Sequence, residues 1–290
     1  MTTVTRSDIR ASLAAAGIRA GDTLLVHSSL KSMGYVEGGA DAVIDALLET
    51  LGDGGTLVMP TLSQKDFIHA YRDWSLDRPS DVGFITETFR LRPASLRSDQ
   101  ATHSVAAQGK LAAWLVRDHG LYGRRLGAFG DTPFAVCSPW QKLYDLNAKV
   151  LFLGVTMKAN TCKHLIEYQF INEMLDRVDD DARRAALIAR LRSHGSYNDP
   201  DPGVWPFSSG EKSQAMLEAE GFLRHAPCGD ADFMVCRIAE TNDFARAAYL
   251  SKPEEWYTEA MVQWLCDAQA SAWRQCAHRD FLNKIDPGPR

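Results

Sequence analysis

The feature that most constrains the fold lies near the N-terminus, where two apolar runs enclose a glycine-containing loop and a helical segment. The runs DTLLVHSS and GGTLVMP have the continuous apolar character of buried strands. Between them, KSMGYVEGG is a loop, and ADAVIDALLETL has apolar residues at helical spacing and ends at Gly52. This order predicts a βαβ unit, whose two strands lie parallel in one sheet with a helix across its face.

Further segments extend this pattern towards the C-terminus. TCKHLIEYQFINEML is an amphipathic helix, AKVLFLGV is an apolar strand, and ATHSVAAQG has the composition of a loop. In the last third of the chain, FLRHAP and DFMVCRIAE predict a hairpin, which helices follow. We therefore predict an α/β fold with a central, mostly parallel sheet flanked by helices and a smaller C-terminal portion that contains β-structure.

The composition excludes several classes of protein. With 45% hydrophobic residues, the 290-residue chain has enough apolar material for one large domain or two closely packed ones. The formal net charge of −5 and the absence of a long Lys/Arg run argue against nucleic acid as a partner. No apolar stretch approaches the roughly 20 residues that a membrane-spanning helix requires.

Six cysteines are distributed along the chain without a CxxC pair or a Cys/His cluster of zinc-binding spacing. We therefore expect reduced thiols rather than a disulfide framework. The N-terminal run MTTVTRSDIR is polar and unlike a secretory signal, so the sequence favours a cytoplasmic protein.

The loop HSSLKSMGYVEGG, from His27 to Gly39, is the first candidate site. It follows a predicted strand and opens a helix, which is where α/β sheets bind ligands. Backbone N–H groups at a helix N-terminus favour a phosphate, and Gly38 and Gly39 let a backbone approach it closely. The loop is neither a Walker A nor a GxGxxG motif, which argues against nucleoside triphosphates and dinucleotides. An ordinary glycine-containing turn is the alternative interpretation.

The segment NTCKHLIE, residues 160–167, is the second candidate. His164 and Glu167 are three residues apart and therefore share a face of the predicted helix. A histidine beside a carboxylate can act as a general base, because the carboxylate fixes the imidazole tautomer and stabilises the imidazolium. The alternative is a solvated helix surface that carries an ordinary His–Glu pair.

Two further candidates are less well supported by their spacing. His103 and Ser104 are adjacent in a predicted loop, where they could bind a ligand or form ordinary loop hydrogen bonds. Cys162 lies near a helix start, which favours a thiolate and would permit an acyl-enzyme mechanism with His164. However, residues two apart on a helix point in different directions, which argues against such a pair.

Four segments in this order resemble the aminoglycoside 3-N-acetyltransferase family, antibiotic acetyltransferases that do not have the GNAT fold. The matching segments are VHSSLKSMGYVEGGADAVIDALLETLGDGGTLVMPTLS, RPSDVGFITETFR, HSVAAQG and KVLFLGVTMKANTCKHLIEY. The resemblance implies an acetyl-CoA-dependent N-acetyltransferase that modifies an aminoglycoside 3-amino group by His-assisted direct transfer and confers antibiotic resistance. It also implies an α/β fold, coenzyme A as co-substrate and no metal.

The resemblance assigns roles residue by residue. His164 and Glu167 match the catalytic pair of the family, and Thr61 matches a threonine near the reacting centre. His103 and Ser104 match the acetyl-CoA side of the cleft. The loop residues that match the coenzyme-binding loop are His27, Ser28, Ser29, Leu30, Lys31, Met33, Gly34, Tyr35 and Val36.

Two departures from the family pattern concern the acceptor. The His-Pro pair that usually precedes HSVAA is replaced by Gln100-Ala101, and an acidic position in the loop before the His–Glu helix is Lys158. A lysine facing the acceptor would repel a polycationic aminoglycoside. Two alternatives therefore stand beside the first function: an N-acetyltransferase for another amine or amino-sugar metabolite, and a non-catalytic coenzyme A-binding protein.

The resemblance also suggests how the chain is organised. Residues 1–178 would form the coenzyme A-binding and catalytic part, and residues 179–290 an acceptor-side linker, hairpin and C-terminal helices packed as one unit. Within these parts, Ser63–Arg78 is predicted to be an active-site loop and YNDPDPGVWPF a linker or flap. The expected partner is a small-molecule amine, with neither nucleic acid nor membrane, and a homodimer is compatible with the sequence.

Overall fold

The computed structural model describes residues 3–63, 71–191 and 204–270 of the chain. The strands, numbered in chain order, are β1 Thr3–Val4, β2 Thr23–Ser28, β3 Tyr35–Val36, β4 Thr56–Pro60, β5 Leu96–Arg97, β6 Val105–Gly109, β7 Lys149–Leu153, β8 Arg224–Cys228 and β9 Ala231–Arg237. The helices are α1 Arg6–Ala15, α2 Gly39–Leu51, α3 Phe84–Arg90, α4 Ala112–Val116, α5 Pro139–Asp145, α6 Cys162–Asp176, α7 Asp181–Arg190, α8 Gly210–Ala219 and α9 Ile238–Ser251. Residues 259–270 are also helical.

Seven of these strands form one central sheet in the order β5-β6-β4-β2-β7-β9-β8. The predicted βαβ unit is present, since β2 and β4 are parallel neighbours and α2 connects them. β7 pairs in parallel with the other side of β2. The α/β architecture with a sheet flanked by helices is therefore confirmed.

The prediction that the sheet is mostly parallel holds only for its three central strands. The four outer pairings, β5–β6, β6–β4, β7–β9 and β9–β8, are antiparallel. At one edge the reason is local: the two residues Gly229 and Asp230 separate β8 from β9, and so short a turn can join only antiparallel strands. β9 then pairs with β7, so the predicted C-terminal hairpin extends the central sheet.

The alternation of side chains along β2 divides the core into two layers. Leu24 and Val26 pack with the layer that contains α1 and α2, whereas Leu25 packs with the layer that contains α5 and α6. His27 lies on the same face as Leu25 and stacks on Phe152 of β7, with ring centroids 5.4 Å apart. The sheet therefore directs His27 towards α6, which carries His164 and Glu167.

The helix ends follow the expected local chemistry. Thr5 forms a capping box with Asp8 at the start of α1. The Asn160 side chain accepts a hydrogen bond from the Cys162 N–H at 3.0 Å and so satisfies an N-terminal donor of α6. This cap sets the point at which the chain leaves β7 and enters the helix that carries the His–Glu pair.

One predicted loop is partly a strand, and two other predicted segments are described only in part. The segment ATHSVAAQG was predicted as a loop, but its residues Val105–Gly109 form β6, which pairs with β4 from Thr56–Gly109 to Pro60–Val105. Alanine and glutamine have little strand propensity, so pairing with β4 decides their conformation. Much of the predicted active-site loop, residues 64–70, and most of the predicted flap, residues 197–203, lie outside the described residues.

Candidate active site

A cavity of about 240 Å³, here called the inner cavity, opens at the carboxyl ends of the three parallel strands. This is the edge at which α/β sheets bind ligands, and the amino end of antiparallel β6 reaches the same edge. The residues that line the inner cavity are Val26, His27, Ser28, Pro60, Leu62, Val82, Thr86, His103, Val155, Lys158, Ala159, Asn160, Thr161, Lys163 and His164.

His164 and Glu167 form a buried hydrogen-bonded pair at this cavity. The His164 Nδ1 atom lies 2.9 Å from the Glu167 Oε2 atom, and the two residues are only 6% and 1% exposed. The alternative of a solvated surface pair is therefore wrong. Because a carboxylate accepts at Nδ1, the neutral ring carries its proton there, and Nε2 is left as a basic nitrogen.

Aromatic rings surround the His164 imidazole. Phe129 and Phe207 contact it edge-on, with centroids 4.9 Å and 6.0 Å away, and Phe134 lies at 6.1 Å. His103 is also an edge-on neighbour at 6.3 Å. These rings restrict the imidazole to one orientation and exclude bulk water from its sides.

Two further histidines line the inner cavity. Burial lowers the pKa of His27 to about 3, and its Nε2 atom is buried without a hydrogen-bond partner in the described part of the chain. Burial, aided by the nearby His164, also holds the pKa of His103 well below its ordinary value. Both rings are therefore neutral at physiological pH, and they add polar atoms to the cavity without adding charge.

The turn before β6 presents His103 to the cavity. The Gln100 side-chain oxygen accepts hydrogen bonds from the backbone N–H groups of Thr102 and His103. The Gln100 amide nitrogen donates to the Tyr71 hydroxyl at 3.1 Å. Gln100 is 4% exposed and is not among the cavity-lining residues, so this departure from the family pattern acts on the orientation of His103.

A second, more open cleft of about 570 Å³ lies beside the inner cavity and is called the outer cleft. Its lining residues are Ser28, Ser29, Leu30, Lys31, Gly34, Tyr35, Val36, Gly83 and Phe84. Seven of the nine belong to the predicted coenzyme-binding loop. Ser28 is the residue that the two linings share, and its hydroxyl oxygen is buried without a hydrogen-bond partner among the described residues.

Four predicted site residues line neither space, and one of them is Glu167, which reaches the inner cavity only through its hydrogen bond to His164. Met33 is fully buried in the layer beside α2. Thr61 and Ser104 are fully buried next to each other, with their hydroxyl oxygens 3.0 Å apart. The Ser104 hydroxyl also donates to the Thr61 carbonyl oxygen at 2.9 Å. This pair joins the end of β4 to the start of β6, and its hydroxyls are occupied by these bonds.

Cys162 is a core residue rather than an exposed nucleophile. It is 2% exposed, packs in the layer around α6, and does not appear among the residues that line the inner cavity. Burial raises the pKa of its thiol, so the thiolate that a nucleophile requires is disfavoured. These observations argue against the acyl-enzyme alternative.

The charged residues at the inner cavity are lysines. Lys158 is exposed and lies 3.8 Å from Glu211, and the Lys163 ammonium donates to the Ser208 carbonyl at 3.3 Å. The described lining contains no Asp or Glu. Both charged side chains of the described lining are therefore cationic, and Glu211 lies beside one of them.

Several residues of the site were not found from the sequence. Trp205 donates its indole N–H to the Glu167 Oε2 atom at 2.9 Å, across 38 positions of the chain. Phe129, Phe134 and Phe207 form the walls around His164. None of these aromatic residues belongs to a motif or a regular period, so spacing holds no signal for them.

The described residues contain neither a candidate metal site nor a candidate membrane-spanning helix. No group of three or more His, Cys, Asp or Glu side chains there could hold a metal ion. In the same part of the chain, no helix is long and apolar enough to cross a membrane.

Comparisons with known proteins agree with the motif analysis. The sequence model described as Aminoglycoside 3-N-acetyltransferase matches residues 25–249. The SPbeta prophage-derived aminoglycoside N(3')-acetyltransferase-like protein YokD of Bacillus subtilis is 34% identical over 269 residues, which cover 85% of this chain and 93% of that protein. Aminoglycoside N(3)-acetyltransferase VII of Streptomyces paromomycinus is 30% identical, with 84% and 91% covered.

Solved structures share the fold. The AAC-IIIb binary complex with CoASH superposes with a TM-score of 0.67 and 22% identity over 87% of this chain and 98% of that one. The family match extends over most of the sequence, from β2 into α9, and includes His164 and Glu167. The resemblance that the motifs predicted is therefore confirmed: the chain belongs to the aminoglycoside 3-N-acetyltransferase family and is an acyltransferase.

Proposed function

We propose that the protein transfers the acetyl group of acetyl-CoA directly to an amine, with the 3-amino group of an aminoglycoside as the first candidate acceptor. The observation that carries this proposal is the buried Glu167–His164 pair at the edge of the inner cavity. The family to which the chain belongs acts on aminoglycosides, and one protein of the same fold was solved with CoASH.

His164 is the proposed general base. Its Nδ1 atom faces Glu167, which leaves Nε2 to remove a proton from the attacking amine. Glu167 holds the ring in this tautomer and stabilises the imidazolium that forms. Its burial strengthens the interaction, because little water competes for the carboxylate. General-base assistance of this kind contributes on the order of 10²–10⁴-fold to the rate.

The outer cleft is the proposed site of the coenzyme moiety. It is open, and Lys31, Tyr35 and Phe84 supply a cation and two aromatic surfaces to it. These groups suit the phosphates, pantetheine and adenine of coenzyme A. Because Ser28 belongs to both linings, the acetyl group would meet the acceptor there.

Ser28 is also the proposed donor to the acetyl oxygen as negative charge develops on it. Other candidate donors are occupied: the Ser29 N–H donates to the Leu153 carbonyl at 2.9 Å, and the Thr61 N–H donates to the Ser104 carbonyl at 2.8 Å. The Ser28 hydroxyl is buried at the junction of the two spaces and has no such bond to any residue that the structure describes. A free donor at the reacting centre is the arrangement that lowers the barrier to acyl transfer.

A second candidate acceptor is a neutral or anionic amine, such as an amino-sugar metabolite. The specific observation in its favour is the presence of Lys158 and Lys163 in a described lining that has no carboxylate. An aminoglycoside carries several positive charges, and two lysines beside its site would weaken its binding.

The test is release of free thiol from acetyl-CoA by the full chain with a panel of aminoglycosides, neutral amino sugars and amino-sugar phosphates. Turnover of aminoglycosides supports the first acceptor, and turnover of only the neutral or anionic amines supports the second. Coenzyme A binding without turnover of any member would support the non-catalytic alternative.

The His164→Ala variant tests the chemistry separately from the acceptor. We expect kcat to fall by about 10²–10⁴-fold, because the general base is lost, while coenzyme A binds within about twofold of wild type by calorimetry. Loss of coenzyme A binding would mean that His164 supports the fold instead.

Mass spectrometry without acceptor should find no acetylated Cys162; an acetyl-enzyme would contradict direct transfer.

A further inference from the structure

The Glu167 carboxylate receives two hydrogen bonds on one oxygen. Its Oε2 atom lies 2.9 Å from the His164 Nδ1 atom and 2.9 Å from the Trp205 Nε1 atom. Its Oε1 atom is buried without a hydrogen-bond partner among the described residues. A carboxylate that is 1% exposed depends strongly on such donors, because no water replaces one that is lost.

The Trp205 ring is itself held in place. It is 3% exposed and packs edge-on against Tyr168, with centroids 5.4 Å apart and planes at 70°. The Tyr168 hydroxyl accepts from the Phe129 N–H at 2.8 Å and donates to the Gly130 carbonyl at 2.8 Å. The indole N–H therefore has a fixed direction, and that direction is towards Glu167.

Neighbours of Trp205 contact the same helix. Phe207 packs edge-on against the His164 ring, and the Ser208 carbonyl accepts a hydrogen bond from Lys163. Three residues within one short segment, 205–208, thus contact four residues of α6. This segment follows the charged region after α6, well downstream of the motifs around His164.

We infer that Trp205 is a positioning residue for the proposed transfer reaction: its indole N–H fixes the Glu167 carboxylate, and Glu167 thereby directs His164. The inference rests on the proposed role of His164 as base. Without the indole donor, the carboxylate can rotate about its side chain and lose its alignment with Nδ1. A small displacement of a catalytic group costs up to about 10²-fold in rate.

The first experiment compares two variants of the full chain, Trp205→Phe and Trp264→Phe. Trp264 is the matched control, because it is fully buried and donates its indole N–H to the Leu187 carbonyl at 2.9 Å, without contact to Glu167. In the thiol-release assay we expect Trp205→Phe to lower kcat by about 10–100-fold and to leave KM for acetyl-CoA within about twofold. Trp264→Phe should keep kcat within about twofold, and equal losses in both variants would overturn the inference.

A double-mutant cycle separates positioning from packing. In a Glu167→Leu background, Trp205→Phe should lower kcat by less than about twofold further, because the acceptor that the indole orients is already absent. If the indole contributes only packing, the same fold-loss should appear in both backgrounds. An equal factor in the two backgrounds would therefore overturn the inference.

A third measurement does not depend on activity. In the chain labelled with ¹⁵N-histidine, the Nδ1–H signal of His164 is assigned by its disappearance in His164→Gln. We expect this signal to shift or broaden in Trp205→Phe and to be unchanged in Trp264→Phe. An unchanged signal in both variants would overturn the role of Trp205. This result does not depend on turnover: if wild type acetylated no member of the panel, the proposed function would fail, and the signal would still test Trp205.

Discussion

The inner cavity and the outer cleft lie side by side at one edge of the sheet, yet they are built differently. In the inner cavity the residues His27, His103 and His164 are at most 6% exposed, and hydrogen bonds or ring contacts fix each side chain. In the outer cleft, Tyr35 and Phe84 are 59% and 70% exposed. One space is arranged before any ligand arrives, whereas the other is an open surface that a ligand would cover.

This difference indicates that the groups of the inner cavity act on the reaction, whereas those of the outer cleft bind the ligand. Preorganised groups in a water-poor site act most strongly on charge that develops during reaction, so changes there should alter kcat. Exposed side chains in an open cleft contribute contact area, so changes there should alter KM.

Ser28 lies on the boundary and gives the sharpest test. We expect Ser28→Ala to lower kcat by about 10²–10³-fold, because it removes the free hydroxyl that would donate to the acetyl oxygen. Ser29→Ala is the matched control, since the Ser29 hydroxyl accepts a hydrogen bond from Ser32 at 2.8 Å and lines only the outer cleft. Its kcat should stay within about threefold. Steady-state kinetics that show equal kcat values for the two variants would remove Ser28 from the reacting centre.

The burial of His27 predicts that the folded protein loses stability in acid. Its pKa is lowered to about 3 in the folded state, whereas an unfolded histidine titrates near 6.5. Between these values only the unfolded chain takes up the proton, so the free energy of unfolding falls as pH falls below about 6.5. The slope should be about 1.4 kcal/mol per pH unit for this one group. His119 lies outside the cavity, and burial lowers its pKa to about 4, so it makes the fall of the unfolding free energy with decreasing pH steeper.

Denaturant unfolding of His27→Phe between pH 6 and pH 4.5 measures the contribution. The variant keeps an aromatic ring against Phe152. Its free energy of unfolding should fall less steeply with decreasing pH than that of wild type, by the roughly 1.4 kcal/mol per pH unit that one proton contributes. Phe84→Leu, in the outer cleft, is the control and should retain the full slope. A slope that His27→Phe leaves unchanged would show that the folded inner cavity accepts a proton at His27.

The two regions also differ in how far the sequence predicts them. Periodicity located β2, α2 and β4, and the three-residue spacing of His164 and Glu167 placed both on one face of α6. These signals are local, since each depends on residues within one or two elements. The order of strand, loop and helix likewise indicated a ligand-binding loop, whereas the family resemblance assigned its individual residues to the coenzyme.

Other features depend on contacts between distant parts of the chain. Trp205 reaches Glu167 across 38 positions, and Thr61 and Ser104 are occupied by each other because β4 and β6 pair antiparallel. The sequence spacing of these residues does not indicate which strands pair. The same long-range pairing with β4 turned a predicted loop into the antiparallel strand β6.

The smallest expected effects are in the outer cleft. Tyr35→Ala and Phe84→Ala should each raise KM for acetyl-CoA by about 2–10-fold and leave kcat within about twofold, because each ring offers one face to a ligand and stays partly solvated. Leu91→Ala is the control: Leu91 is 64% exposed but lines neither space, so its KM should match wild type. Initial-rate kinetics with varied acetyl-CoA separate the two constants. A fall in kcat of tenfold or more in either cleft variant would mean that the exposed rings align the reacting acetyl group, and that the two spaces form one preorganised site.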